Sequence, residues 1–235
     1  MNIEVKKFLF ELRFDPLPTI LDKRGEIANL LLKPPFTTWN IGANRIDISS
    51  KDNRSIGMFV TYHNFGLAAE SPNDEKTFSD ETKRLIKELW TIIPPTRYVR
   101  MGIRINTYIP SKKNFQNLFT RFKDKFLATD NFDLTKFGGE LVDVGVPLNF
   151  ESNLDNTKFN VSMGAMRKDQ ALQFFTTEKT LAKTGFFVDI DYFCDNLKEF
   201  GGRQSKYIGI VDAAIEKDKS ITTLIKDLMS LESNG

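Results

Sequence analysis

The side chains best equipped for chemistry are few, and their surroundings limit what they can do. His63 is the only histidine and Cys194 the only cysteine in 235 residues. A Ser-His-Asp or Cys-His nucleophilic arrangement would have to use His63. Catalytic zinc usually takes two or three histidines, and structural zinc takes several Cys or His. His63 sits in Thr61-Tyr62-His63-Asn64, at the end of a strand-like run. Its parity opposes Met58, Val60 and Tyr62, which places it toward solvent or the second face of a sheet. Cys194 follows Asp191-Tyr192-Phe193 and precedes Asp195. Acids on both sides raise a thiol's pKa, so the expectation is a structural cysteine, not a reactive thiolate. Asp189 and Asp191 form a D-x-D pair that a strand would point to one face, and such a pair can hold magnesium for phosphoryl transfer. That chemistry also wants a phosphate-gripping Gly-Ser turn and a third carboxylate. The plain alternative is two acids at the exposed end of a strand. Gly138-Gly139 and Gly201-Gly202 read as turns, and the chain contains neither G-x-x-x-x-G-K-[ST] nor G-x-G-x-x-G.

The most informative stretch is basic. Residues 96–125 hold eight Lys or Arg and one acid, Asp124. Within it, Val99, Met101, Ile103 and Ile105 alternate with Tyr98, Arg100, Gly102, Arg104, Asn106 and Tyr108. Arginines interleaved with aromatics on a sheet face can stack bases and grip phosphates. They can equally form a protein interface, because Tyr and Arg are enriched at hot spots. A third reading is charge compensation. Residues 126–163 hold six acids against Lys136 and Lys158, and neighbouring strands would pair the two fields. The candidate binding residues are Tyr98, Arg100, Arg104, Asn106 and Tyr108.

The elements that carry these residues follow from periodicity. Phe8, Phe10, Leu12 and Phe14 recur at period two, a half-buried strand that Pro16 and Pro18 end. Ile20, Leu21, Ile27, Leu30 and Leu31 predict a helix over 19–33, stopped by Pro34-Pro35. Strands are expected over 37–70, with Asp52-Asn53 as a hairpin turn, and then a helix over 79–92. The second part begins with the strand 97–109, followed by a helix from a Ser111 cap to about 127. Strands near 140–150, 157–167, 170–177 and 185–191 come next. A helix over 204–231 closes the chain, interrupted near Asp218-Lys219-Ser220. Residues 1–95 and 96–235 therefore share one order, strand, helix, strands, helix, by duplication or by chance. Strands joined through short turns imply antiparallel pairing. The fold class is α+β, a mostly antiparallel sheet with helices packed on it, in two βαβββα-like halves or one continuous domain. The last helix carries Ile221, Leu224, Ile225 and Leu228 on one stripe, which docks on its own domain or on a partner.

Composition sets the outer bounds. Twenty-one Phe and 40% hydrophobic residues can fill a sizeable core. A near-neutral balance, 33 basic against 31 acidic residues, gives polyanion binding no general support. One cysteine, no apolar run of membrane-spanning length and a start that is not signal-like lead to the expectation of a cytoplasmic protein.

Three stretches resemble a sporadically distributed prokaryotic family of uncharacterised proteins of about 250 residues. They are Phe8 to Phe14, the path from Ile56-Gly57-Met58 through Leu89-Trp90 to Tyr98–Asn106, and Val188-Asp189-Ile190-Asp191. The resemblance implies no activity, cofactor or catalytic residue. Its patchy distribution implies mobile genes, such as those of antiviral defence or toxin–antitoxin neighbourhoods. The reading is a non-enzymatic protein-interaction module, a regulatory or defence accessory protein without cofactor or metal, whose partner is another protein encoded nearby. The alternative is a nucleic-acid-binding protein using residues 96–125. A divalent-metal phosphoryl-transfer enzyme at Asp189/Asp191 ranks third.

Overall fold

The computed structural model describes residues 3–51, 56–71, 75–127, 134–151, 157–176, 181–195 and 197–231. Nine strands form one sheet: β1 (Val5–Phe14), β2 (Thr38–Ile41), β3 (Arg45–Ser49), β4 (Ile56–Thr61), β5 (Asn64–Ser71), β6 (Tyr98–Pro110), β7 (Gly145–Glu151), β8 (Lys158–Arg167) and β9 (Thr184–Cys194). The helices are α1 (Thr19–Asp22), α2 (Arg24–Leu31), α3 (Glu75–Leu89), α4 (Phe115–Phe126), α5 (Lys168–Ala171) and α6 (Gln204–Met229). The chain is α+β, and every strand pair is antiparallel.

The sheet order is β2-β3-β4-β5-β1-β6-β9-β8-β7. β1 and β6 lie side by side at the centre. Each is flanked by the last strand of the meander that follows it, β5 for β1 and β9 for β6. From each central strand the chain crosses a helix to the sheet edge and returns strand by strand toward the seam, through β2–β5 on one side and β7–β9 on the other, within one continuous sheet.

One face of the sheet is covered by helices. The alternation Phe8, Phe10, Leu12, Phe14 delivers four side chains to that face, where they meet Ile27, Leu31, Phe78, Leu85, Tyr207 and Ile210. Beyond the seam, Phe115, Leu118, Phe119 and Phe122 of α4 pack on Val161, Met163, Val188 and Ile190. α4 starts from Asn114, whose Oδ1 accepts from the Asn117 N–H at 2.9 Å, and not from Ser111. The helix expected over 19–33 divides into α1 and α2 at Lys23.

Two further expectations are corrected. α6 runs without interruption through Asp218. Val211, Ala214, Ile215, Asp218, Thr222, Ile225 and Met229 form a single buried stripe at helical spacing, so Asp218 belongs to the packed face and not to a break. It receives the Lys6 ammonium at 2.6 Å. Residues 170–177 are not a strand where the chain is described. Arg167 N–H donates to the Gln170 side chain, closing the turn of α5. Ala171 and Phe175, four residues apart, then drop onto Tyr108 and Phe187. The turn expected at Asp52-Asn53 and part of the 170–177 segment lie outside the described residues.

Candidate functional site: the bare sheet face at the seam

Among the described residues, the sheet face opposite the helices is covered only at one end. There α5 and the residues after it lie on Val5, Tyr108 and Phe187. Two polar side chains of the face fasten this cover. Lys7 Nζ donates to Phe174 O at 2.9 Å, and Glu70 accepts from Thr176 N–H and Oγ1 at 2.8–3.0 Å. Past that cover no other described residue lies over the face at the seam.

The open part holds a basin of about 200 Å³ lined by Leu9, Glu11 and Arg13 of β1, Arg100, Gly102 and Arg104 of β6, and Asp191 of β9. Strand register puts them there. Arg13 pairs with Arg100, Glu11 with Gly102 and Leu9 with Arg104, while Arg104 also pairs with Asp191. The basin therefore straddles the seam between the two halves.

Gly102 supplies the floor. A Cβ built there would meet Phe193 Cβ at 3.6 Å and Asp191 Oδ1 at 3.8 Å, ordinary contacts. The backbone does not demand glycine at this position, and its consequence is the open volume above it. Gly66, on the other side of Glu11, differs. A Cβ there would lie 2.2 Å from Phe10 O, and the Phe59 ring already fills the space.

The charges around the basin are paired. Arg104 donates Nε and an Nη to the two oxygens of Asp189 at 2.8 and 2.5 Å, and Asn106 Nδ2 donates to the same carboxylate at 2.7 Å. Arg100 reaches Asp191 at 3.4 Å and Asp195 at 3.2 Å, with its guanidinium 4.5 Å over the Phe193 ring. Glu11 accepts from Arg13 at 3.0 Å and from Asn64 at 2.6 Å. Burial opposes the ionised form of Glu11, but the bonds from Arg13 and Asn64 prevail and hold its carboxyl below the usual range. For Asp191 burial wins. Its carboxyl is pushed up despite Arg100 and Arg104, with like charge on Asp189 adding to the shift.

The sequence-derived candidates divide. Arg100, Arg104 and Asn106 share the face with Asp189 and Asp191. Tyr98 does not, because a bulge between Arg13 and Phe14 sets Tyr98 opposite Phe14 and shifts the parity of β6. Tyr98 is consequently 2% exposed in the helix-side core, beside Trp90 and Tyr207, and Val99 is turned out instead at 47%. Tyr108 keeps the expected face but lies under the α5 segment, with its hydroxyl donating to Ala182 O. Neither tyrosine is placed to stack on a ligand. Charge compensation does occur, and for Arg100 and Arg104 it comes from β9, the strand beside β6, and from Asp195 just after it. The D-x-D pair itself neutralises the arginines.

The basin residues from β1 were missed by reasoning confined to the basic segment. Their signal was present in the polar positions Glu11 and Arg13, which alternate with the phenylalanines. His63 lies on the β4–β5 turn, its Nδ1 3.3 Å from Thr61 Oγ1, far along the sheet from the D-x-D pair. Cys194 is buried. Among the described residues no group of three or more His, Cys, Asp or Glu is arranged to hold a metal, and no helix is long and apolar enough to cross a membrane.

No family model matches this chain, and no curated protein matches it.

Proposed function

We propose that the chain is a protein-interaction module that offers the bare half of its sheet to another protein, with the basin over Gly102 as the anchoring point. The observation that carries this reading is the pre-ordered, charge-paired basin at the seam. Its arginines are already held by Asp189, Asp191, Asp195 and Glu11. Less side-chain freedom is then lost on binding, and such freedom costs about 0.5–1.5 kcal/mol per immobilised side chain. Leu9 and Val99 add exposed apolar surface beside the guanidinium groups, the mixture found at interface hot spots.

The same pairing argues against the two other readings. A phosphate backbone crossing the face would meet a carboxylate beside each arginine, which weakens the counterion-release drive of nucleic-acid binding. A divalent cation at Asp189 would have to displace Arg104 and Asn106 from its oxygens. The resemblance to a patchily distributed family supports an accessory role beside a partner encoded nearby, as in defence loci.

The test is affinity capture of the tagged chain from its native host, with and without nuclease, run beside Gly102→Phe. A stoichiometric protein partner that survives nuclease and is lost with Gly102→Phe is expected. Equal partner recovery by a folded Gly102→Phe variant, or loss of all captured protein after nuclease, would overturn the assignment.

A further inference from the structure

Among the described residues the sheet ends in two edge strands, β2 and β7, and they are built differently. β7 carries Pro147 within the strand and Glu151 at its end, two devices that discourage pairing with another strand. β2 has neither. It lies within residues 34–44, Pro-Pro-Phe-Thr-Thr-Trp-Asn-Ile-Gly-Ala-Asn, eleven residues without a charge in a chain that is 27% charged.

The outer side of β2 is ready to pair. β2 and β3 are joined through Ala43-Asn44, and Gly42 N–H donates to Arg45 O at 2.8 Å. Antiparallel ladders alternate hydrogen-bonded and non-hydrogen-bonded pairs. From the Gly42/Arg45 pair, the next hydrogen-bonded pair is Asn40/Asp47, and Trp39/Ile48 and Ile41/Ile46 are the non-bonded ones. The N–H and C=O groups of Trp39 and Ile41 are therefore turned away from β3, toward the open edge. Their side chains continue the apolar row of Ile46 and Ile48 past the cover of α2. They are 59% and 40% exposed, whereas Ile46 and Ile48 are buried.

We infer that β2 pairs with β2 of a second copy of this chain, antiparallel and centred on Asn40. That register is self-complementary. It sets Trp39 opposite Ile41 of the other copy twice over, with both residues' outward backbone groups bonded. The neutral segment brings no like charge onto itself, and each exposed Trp39 gains an aliphatic neighbour. Closed two-fold pairing is the commonest form of homo-oligomer. Two four-residue strands bury less than the roughly 1,200 Å² of a standard interface. The dimer is accordingly concentration-dependent, with dissociation in the micromolar range. This inference stands apart from the basin, which lies on β1, β6 and β9.

The register makes a sharp test. Asn40 faces its own copy as a non-hydrogen-bonded pair, with Cα atoms about 4.5 Å apart, inside the range a disulfide spans. In a Cys194→Ala background, Asn40→Cys is expected to give a disulfide dimer under mild oxidation, and Trp39→Cys to give at least tenfold less. Sedimentation of the wild-type chain is expected to show a reversible monomer–dimer equilibrium. Ile41→Pro removes an outward donor while sparing the bonds to β3, and should weaken that equilibrium at least tenfold. A wild-type chain that stays monomeric at several hundred micromolar, or equal cross-linking at positions 39 and 40, would overturn the inference.

Discussion

Lys6 is the residue whose replacement should damage the fold most for the least change in volume. Its ammonium lies in the helix-side layer, with side-chain exposure of 9%, and contacts Asp218 at 2.6 Å and Glu75 at 2.8 Å. Asp218 is 1% exposed, and its other oxygen accepts from the hydroxyls of Thr107 and Thr222 at 3.3–3.4 Å. Burial works against the charge on Lys6, but Asp218 and Glu75 outweigh it and hold the ammonium above its ordinary pKa. Lys6→Met keeps the aliphatic stem and removes the charge. Asp218 is then a buried carboxylate facing Glu75, with no cation in contact. Breaking a buried pair in this way costs about 3–5 kcal/mol, a large share of the ~5–15 kcal/mol by which domains are stable. At ~2–4 °C per kcal/mol for a chain of this length, the melting temperature should fall by roughly 6–20 °C. Urea unfolding followed by far-UV circular dichroism and by the fluorescence of Trp90, which packs against Tyr98 and Tyr207, measures the loss. Coincident transitions establish that one equilibrium is being read. The double variant Lys6→Met/Asp218→Leu removes the orphaned charge and should recover at least half of the loss. A single-variant cost below about 1 kcal/mol, or a double variant that costs the sum of its parts, would refute the reasoning.

Three other perturbations follow from the same geometry. Glu11 and Glu75 both have folded-state pKa values below their unfolded ones. Their stabilisation is present above about pH 4.5 and is lost as pH falls through the folded values, so stability should decline below pH 4.5 and Glu11→Gln should flatten part of that decline in pH-dependent urea titrations. Asp191, whose carboxyl is pushed up by burial, disfavours its own ionised form at neutral pH. Asp191→Asn should leave the urea midpoint unchanged or slightly higher at pH 7, whereas Asp189→Asn, which weakens the two-bond clasp on Arg104, should lower it. Gly66→Ala forces a Cβ against Phe10 O and should cost more than about 2 kcal/mol, as steric overpacking does, while Gly102→Ala should cost under about 0.5 kcal/mol. The two melting temperatures compared side by side decide it.

The fold was largely legible because its elements advertise their periods. The Phe8–Phe14 alternation and the Phe115–Phe122 stripe each bury a single face, and local spacing alone declares that. The layout of the site was less legible, for two physical reasons. Parity along β6 is reset by a bulge opposite Arg13/Phe14, and a bulge leaves no mark in an alternating sequence, so Tyr98 reads as a surface residue and is core. Strand order is non-local as well. The partners of Arg100 and Arg104 come from β9, 85 and 91 residues away, and from Asp195 just beyond it, and not from the described acids that follow them in sequence. The Lys6–Asp218 pair, 212 residues apart, lies beyond any windowed reading. The clue that the sequence offers is a charged residue at a position on a helical stripe of mostly apolar residues.

The proposed function has the bare sheet face at the seam, and not the helix layer, meet the partner. Photo-cross-linking tests it most directly, with benzoylphenylalanine placed at Leu9 in the basin or at Leu224, which is exposed on α6, and the tagged chain irradiated in its native host. A stoichiometric protein adduct is expected from position 9, lost when Gly102→Phe is added, and none from position 224. An adduct from position 224 alone, or nucleic acid as the only species joined at position 9, would contradict it.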